Sequence, residues 1–191
     1  MKLLQSLSVR RKLAFAFGCV LLLMTALCGV AWYELAVMAD QSQKIITYRI
    51  SGVRDSGRMV QTATRLRVRE FRLAVSAGSD MDTAVARYRA GIEDFDKASK
   101  EYEAFILDAH ERKLFDAAMI AWRDYMTDSK LILAAAQAGQ PEEAVRQTLT
   151  GVKKFDVAVN AMGALIKFND DGATADAAAA QALYELSLIH I

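Results

Sequence analysis

The sequence predicts an all-α protein, an N-terminal transmembrane helix that continues into an antiparallel up-down-up-down four-helix bundle. Three observations carry that prediction. Leu13 to Tyr33 holds no charged residue, and a helix rising about 1.5 Å per residue crosses a ~30 Å hydrocarbon core in ~20 residues. Beyond it, apolar residues recur at three-to-four spacing, in a stretch whose one proline is Pro141. Breaks near Gly78, Asp108 and Gly139 divide that pattern into four helices, and the short turns between them force neighbours to run antiparallel.

The apolar run is flanked by Arg10, Arg11 and Lys12 before it and Glu34 after it. No acid accompanies the early bases, so residues 1–12 are expected in the cytoplasm and 34–185 on the far side of the membrane, with 13–33 spanning it. Trp32 and Tyr33 suit the outer interface. A cleavable signal peptide is the competing reading. Its apolar core runs ~7–15 residues and ends at a small-x-small site. Here Ala26 to Ala31 offers small residues, but the chain continues into a polar helical pattern with no Pro or Gly break. Neither Cys19, after Phe17-Gly18, nor Cys28, after Ala26-Leu27, has the context of a lipoprotein cysteine. A retained anchor is the better reading.

Composition narrows the function. Four of the 24 bases precede Glu34 and all 23 acids lie at or beyond it, which leaves that part near −3 and points away from nucleic acid. Both cysteines fall within the span, so the bundle must be held by its apolar core. No haem-attachment motif, zinc-ligand spacing or Glu-x-x-His pair occurs, and no cofactor or metal is expected. His110 stands alone in an expected turn, as a solvated residue rather than a ligand. No nucleophile-base pair, phosphate loop or paired-carboxylate motif is present, so no catalytic residue is assigned and an enzyme is not expected.

The first helix runs on from the span to about Ser76. Gly78, Ser79 and Asp80 break it, with Ser79 or Asp80 as N-cap of a second helix carrying Ala84, Tyr88, Ile92, Phe95, Ala98 and Tyr102. Asp108 and Glu111 have the capping-box spacing that starts a third helix, whose inward residues are Leu114, Ala118, Ala121, Trp122, Tyr125, Met126 and Leu133. Gly139 suits a left-handed helix end and Pro141 the first position of the next helix, with Glu142 and Glu143 against its positive dipole end. That fourth helix is expected to run unbroken to Glu185, presenting Val145, Leu149, Val152, Phe155, Val159, Met162, Leu165 and Ile166. Phe95, Tyr102, Phe105, Phe115, Trp122, Phe155 and Phe168 are expected in the core.

This layout resembles the N-terminal part of a methyl-accepting chemotaxis receptor with a four-helix-bundle ligand-binding domain. The resemblance covers nearly the whole chain. It rests on Leu7-Ser8-Val9-Arg10-Arg11-Lys12-Leu13 with Phe17-Gly18 and a Leu-rich run, on Trp122 and Tyr125 in the third helix, and on Leu165-Ile166, Asn169 and Gly172-Ala173 in the fourth. It implies a homodimer in the membrane that senses a small anion, such as an amino acid or organic acid, or a periplasmic binding protein. The same input domain also occurs on histidine kinases and diguanylate cyclases, and an anchored interaction module without output is a further alternative. A complete receptor adds a second span, a HAMP linker and a cytoplasmic hairpin, and the chain stops before them. Leu186-Ser187-Leu188-Ile189-His190-Ile191 reads as a translated transposase mosaic end from a sequencing adapter, so residues 186–191 are expected to be foreign. Native codons continuing through Leu186 to Ile191 in genomic DNA would remove that reading.

The candidate site begins with arginines of the first helix. Arg54, Arg58, Arg65, Arg69 and Arg72 fall within roughly 60° of one another around it, while Arg67 points the other way. Like charges at these spacings repel, and guanidinium suits bidentate grip on a carboxylate. The receptor resemblance implies that Arg65, Arg69 and Arg72 hold the ligand at a dimer interface. Antiparallel geometry puts Gln147, Thr148 and Thr150 level with them as hydroxyl and amide partners. The plainer reading is a solvated face whose arginines pair with acids such as Glu70.

Overall fold

The structure, a computed structural model, describes residues 9–106 and 108–190. All elements among the described residues are helical: α1 (Val9–Lys44), a π-helical turn (Ile45–Ile50), α2 (Ser51–Val75), α3 (Asp80–Glu103), α4 (Ala109–Gln137), α5 (Pro141–Thr150) and α6 (Val152–His190). Contacts divide the chain into two units, one of Ile45–Ala175 and one of Met1–Lys44 with Asp176–Ile191.

In the second of these, α1 leaves its large apolar side chains uncovered: Phe17, Leu22 and Trp32 are 65%, 73% and 76% exposed. The helix is long and apolar enough to cross a membrane, which would supply the missing cover. The expected cytoplasmic segment 1–12 enters the described residues only at Val9. Of the expected foreign tail, the α6 backbone extends to His190 and Ile191 lies outside the described residues.

In the unit Ile45–Ala175, α2, α3, α4 and the α5–α6 pair are the four rods of the bundle, and each break expected from the sequence falls where a turn stands. Gly78 takes φ +58° between α2 and α3. Ser79 precedes α3 without a side-chain capping bond, and Asp80 and Asp82 face the helix dipole instead. Asp108 caps α4, its Oδ1 accepting from the amides of His110 at 2.7 Å and Glu111 at 2.8 Å. His110 therefore lies in the first turn of α4, its ring 5.4 Å from that of Phe168. Gly139, at φ +69°, closes α4 with a Schellman pair, Gln140 N–H to Ala135 O at 3.0 Å and Gly139 N–H to Ala136 O at 3.1 Å.

The fourth rod differs from expectation. It is two helices, interrupted at Gly151, whose N–H still donates to Gln147 O at 3.0 Å. Its core line is Ala144, Thr148, Gly151, Ala158, Met162, Leu165 and Asn169, with Phe155 partly buried beside it. Leu149 and Val152, expected inward, are 60% and 40% exposed. The inward line lies one residue away from the most apolar one, because small side chains leave room for the rings and the guanidinium that the opposite helices send across. Phe105, also expected in the core, is 45% exposed, since it follows the C-cap Ala104 and no longer obeys the α3 periodicity. Phe95, Tyr102, Phe115 and Trp122 are buried, and Phe95 stacks on Trp122 with centroids 3.9 Å apart. Each fully buried large apolar side chain contributes about 1.5–3 kcal/mol.

Candidate functional site

The arginine stripe of α2 lies on the surface, turned toward α3. Arg54, Arg58, Arg65 and Arg72 are exposed and Arg69 is half-buried. Arg69 donates from Nη1 to Asp94 Oδ2 of α3 at 3.1 Å, and a Cβ at Gly91 would press on its guanidinium at 2.8 Å. Glycine at 91 therefore lets Arg69 lie flat across α3. Arg58 pairs with Glu101 and Arg54 with Asp55. Arg69 and Arg72 meet Arg87, one α3 turn before Gly91, around an open pocket of about 330 Å³ whose other walls are Val68 and Ala84. Among the described residues Arg65, Arg72 and Arg87 have no carboxylate partner. Three guanidiniums against a small apolar wall can hold an anion with a short hydrocarbon body.

The expected partners on the fourth rod are not gathered there. Gln147 donates to Glu143 at 2.7 Å, Thr150 Oγ1 to the Arg146 carbonyl at 2.8 Å, and buried Thr148 Oγ1 to the Ala144 carbonyl at 2.8 Å. Their side-chain hydrogen bonds stay within α5. The reason is rotational: α5 packs against the face of α2 that carries Arg67, while α3 packs beside the stripe. Arg87 was not singled out in the sequence because it belongs to another helix, and only the α2–α3 packing brings it to Arg72.

The more unusual chemistry is inside. Glu70, expected as a surface partner of the stripe, is fully buried and pairs with Arg67 at 3.1 Å. Its carboxylate also accepts from Tyr125 Oη and Ser129 Oγ, and Ser129 in turn lies 2.7 Å from Tyr88 Oη. Arg67 Nη2 donates to the Thr148 carbonyl, and the guanidinium packs over the rings of Phe71, Tyr125 and Phe155 at 5.1–5.7 Å. One connected network thus ties α2, α3, α4 and α5 together. Burial pushes the Glu70 carboxyl above the usual carboxylate range, against the lowering effect of Ser129, Tyr125 and Arg67. Burial and the adjacent Glu70 push the Tyr125 hydroxyl up as well. A signal was present in the sequence: Glu70 falls in the arc of Met59, Ala63 and Leu66, with Arg67 roughly 40° beyond its edge, and a charge there needs a partner.

A second buried cluster lies farther along the bundle. Tyr102 Oη donates to Glu111 Oε1 at 2.7 Å, and Asn169 Nδ2 reaches Tyr102 Oη at 2.9 Å and the Leu165 carbonyl at 3.1 Å. A Cβ at Gly52 would overlap the Asn169 amide, so α2 approaches α6 closely there. This cluster joins α3, α4 and α6, and its groups satisfy one another.

Compared with known families, residues 6–184 match the one described as a four helix bundle sensory module for signal transduction. No curated protein matches the chain.

Proposed function

The chain belongs to the family of four-helix-bundle sensory modules for signal transduction, and from that premise we propose that it is the sensory input portion of a bacterial methyl-accepting chemotaxis receptor. In this reading α1 is the first transmembrane helix, residues 1–12 face the cytoplasm, and the bundle is periplasmic. Its work is binding and transmission, without catalysis. The observation that carries the reading is an exposed apolar helix at the N-terminus of a bundle that matches a sensory family over nearly its full length.

The ligand is a small anion, an amino acid or organic acid, bound at Arg69, Arg72 and Arg87, with Arg65 on the same face. Support comes from Arg72 and Arg87, which line an open pocket and have no carboxylate partner among the described residues. The receptor acts as a homodimer. Besides its core face, α2 has a second apolar stripe, Val53, Val60, Val68, Phe71 and Val75, within roughly 80° around the helix. Val68, Phe71 and Val75 are 65%, 44% and 68% exposed. A second copy of α2 would cover this stripe in coiled-coil fashion and close the pocket at Val68. Ligand binding would favour one of two packings of the fourth rod, differing by ~1–2 Å.

Calorimetry of the full chain in nanodiscs against dicarboxylates and amino acids tests the site. Arg72→Ala and Arg87→Ala should each weaken a bound anion about tenfold or more, the loss of one charge-assisted contact. A ligand whose affinity is unchanged in both variants and in Arg69→Ala removes the pocket as the site. For the role itself, residues 1–185 fused to the second span and signalling half of a known chemoreceptor should bias swimming in response to that ligand. A ligand-binding fusion that leaves swimming unbiased would overturn it.

A further inference from the structure

Given that the pocket at Arg69, Arg72 and Arg87 is the ligand site, the charges around it set how many charges the ligand carries. Arg69 already has a counter-charge, Asp94 Oδ2 of α3 at 3.1 Å. Arg72 and Arg87 have none among the described residues. Their own helices do not supply one. Three and four residues to either side of Arg72 stand Val68, Arg69, Val75 and Ser76. Around Arg87 the same positions hold Thr83, Ala84, Ala90 and Gly91. The remaining walls, Val68 and Ala84, are apolar, and among the described residues no acid lines the pocket. Two guanidiniums are thus left uncompensated around one opening of about 330 Å³. We infer that the site is built for a dianion, a short hydrocarbon chain bearing two carboxylates, and selects against a ligand that carries an ammonium group.

An α-amino acid fits this pattern poorly, because its ammonium would stand among three like charges with no acceptor of its own. Asp94 is engaged with Arg69 and sits two helical turns from Arg87, about 10 Å along α3. Were Asp94 to turn to the ammonium, it would strip Arg69 of its partner and leave a third bare cation. A second copy of α2 laid over Val68 does not change the balance. The acids of α2 are Asp55 and Glu70, and both are buried in the bundle. A monocarboxylate leaves one of the two guanidiniums without a counter-charge. Two carboxylates neutralise both, since each guanidinium can grip one with parallel hydrogen bonds. The methylenes between them then have Val68 and Ala84 to lie on.

Calorimetry on the full chain in nanodiscs, at about pH 7 and about 10 mM ionic strength, compares matched probes. Malonate, succinate and glutarate differ by one methylene each. The monoamide of the tightest binder removes one charge at nearly constant shape, and its 2-amino derivative adds an ammonium. At least one dicarboxylate should bind, with its monoamide and its 2-amino derivative each about tenfold or more weaker. Arg87 is exposed, so Arg87→Gln should fold as the wild type does. With one bare guanidinium left, that variant should bind the dicarboxylate and its monoamide within about threefold of each other. Failure of all three dicarboxylates to bind overturns the dianion assignment. So does a 2-amino derivative that matches its parent, or a tenfold preference for the dicarboxylate that survives in Arg87→Gln. A 2-amino derivative that matches its parent and is weakened by Arg72→Ala removes the dianion but leaves the pocket as the site. A dicarboxylate bound equally well by Arg69→Ala, Arg72→Ala and Arg87→Ala removes the pocket itself.

Discussion

The Arg67–Glu70 pair allows a quantitative test by double-mutant cycle. Glu70 is fully buried and Arg67 is 6% exposed, so neither charge is relieved by water. Arg67→Met keeps most of the stem between Phe71, Tyr125 and Phe155 but strands the carboxylate with two hydroxyl donors. Breaking a buried pair in this way costs about 3–5 kcal/mol. Glu70→Gln keeps an acceptor for Tyr125 and Ser129 but leaves the guanidinium without its counter-charge, at a cost of about 3 kcal/mol. In the double variant neither charge remains. What is lost then is the bond to the Thr148 carbonyl and some packing, about 3 kcal/mol together. The coupling energy is therefore about 3–5 kcal/mol. Urea unfolding of the full chain in nanodiscs measures it, in a Trp32→Phe background so that Trp122, 5.3 Å from the Tyr125 ring, reports alone. Additivity of the two substitutions to within about 0.5 kcal/mol would refute the reasoning, since it would mean that the two charges do not depend on each other.

Two further outcomes follow from the same coordinates. Gly52→Ala should destabilise the bundle by about 1–3 kcal/mol, because the new methyl displaces Asn169 from Tyr102. Asn169→Ala should absorb most of that loss, and a full Gly52→Ala penalty in its presence contradicts the contact. Gly139→Ala forces a side chain into the left-handed region and should cost about 1 kcal/mol by denaturant titration, whereas no loss would mean that the Schellman turn rearranges freely.

Much of the fold was legible because its signals are local. The apolar helix shows itself as 21 consecutive uncharged residues, from Leu13 to Tyr33, and the turns at Gly78, Asp108 and Gly139-Gln140-Pro141 use chemistry confined to four or five neighbours. Capping atoms and left-handed glycines need no distant partner, so Asp108 and Gly139 act as their sequence context implies. The inward line of the fourth rod was not legible. Its apolar content favours Leu149 and Val152, yet the bundle buries Thr148 and Gly151, because the space there is taken by a guanidinium and rings from other helices.

The candidate site divides in the same way. That α2 carries five arginines on one side follows from its sequence and the helical repeat. Which helix meets them depends on the rotation of α2 in the bundle, and that is decided by long-range packing. α3 meets them, contributing Arg87 and Asp94, while Gln147, Thr148 and Thr150 remain with α5. By itself, then, the sequence determined the apolar helix, the number of rods and where they turn, all set by interactions within a few residues. Tertiary structure alone decided that Glu70 is not a surface acid but the buried counter-charge of Arg67. The cost of leaving either charge in an apolar core unpaired is far larger than any local preference of the residues that surround it.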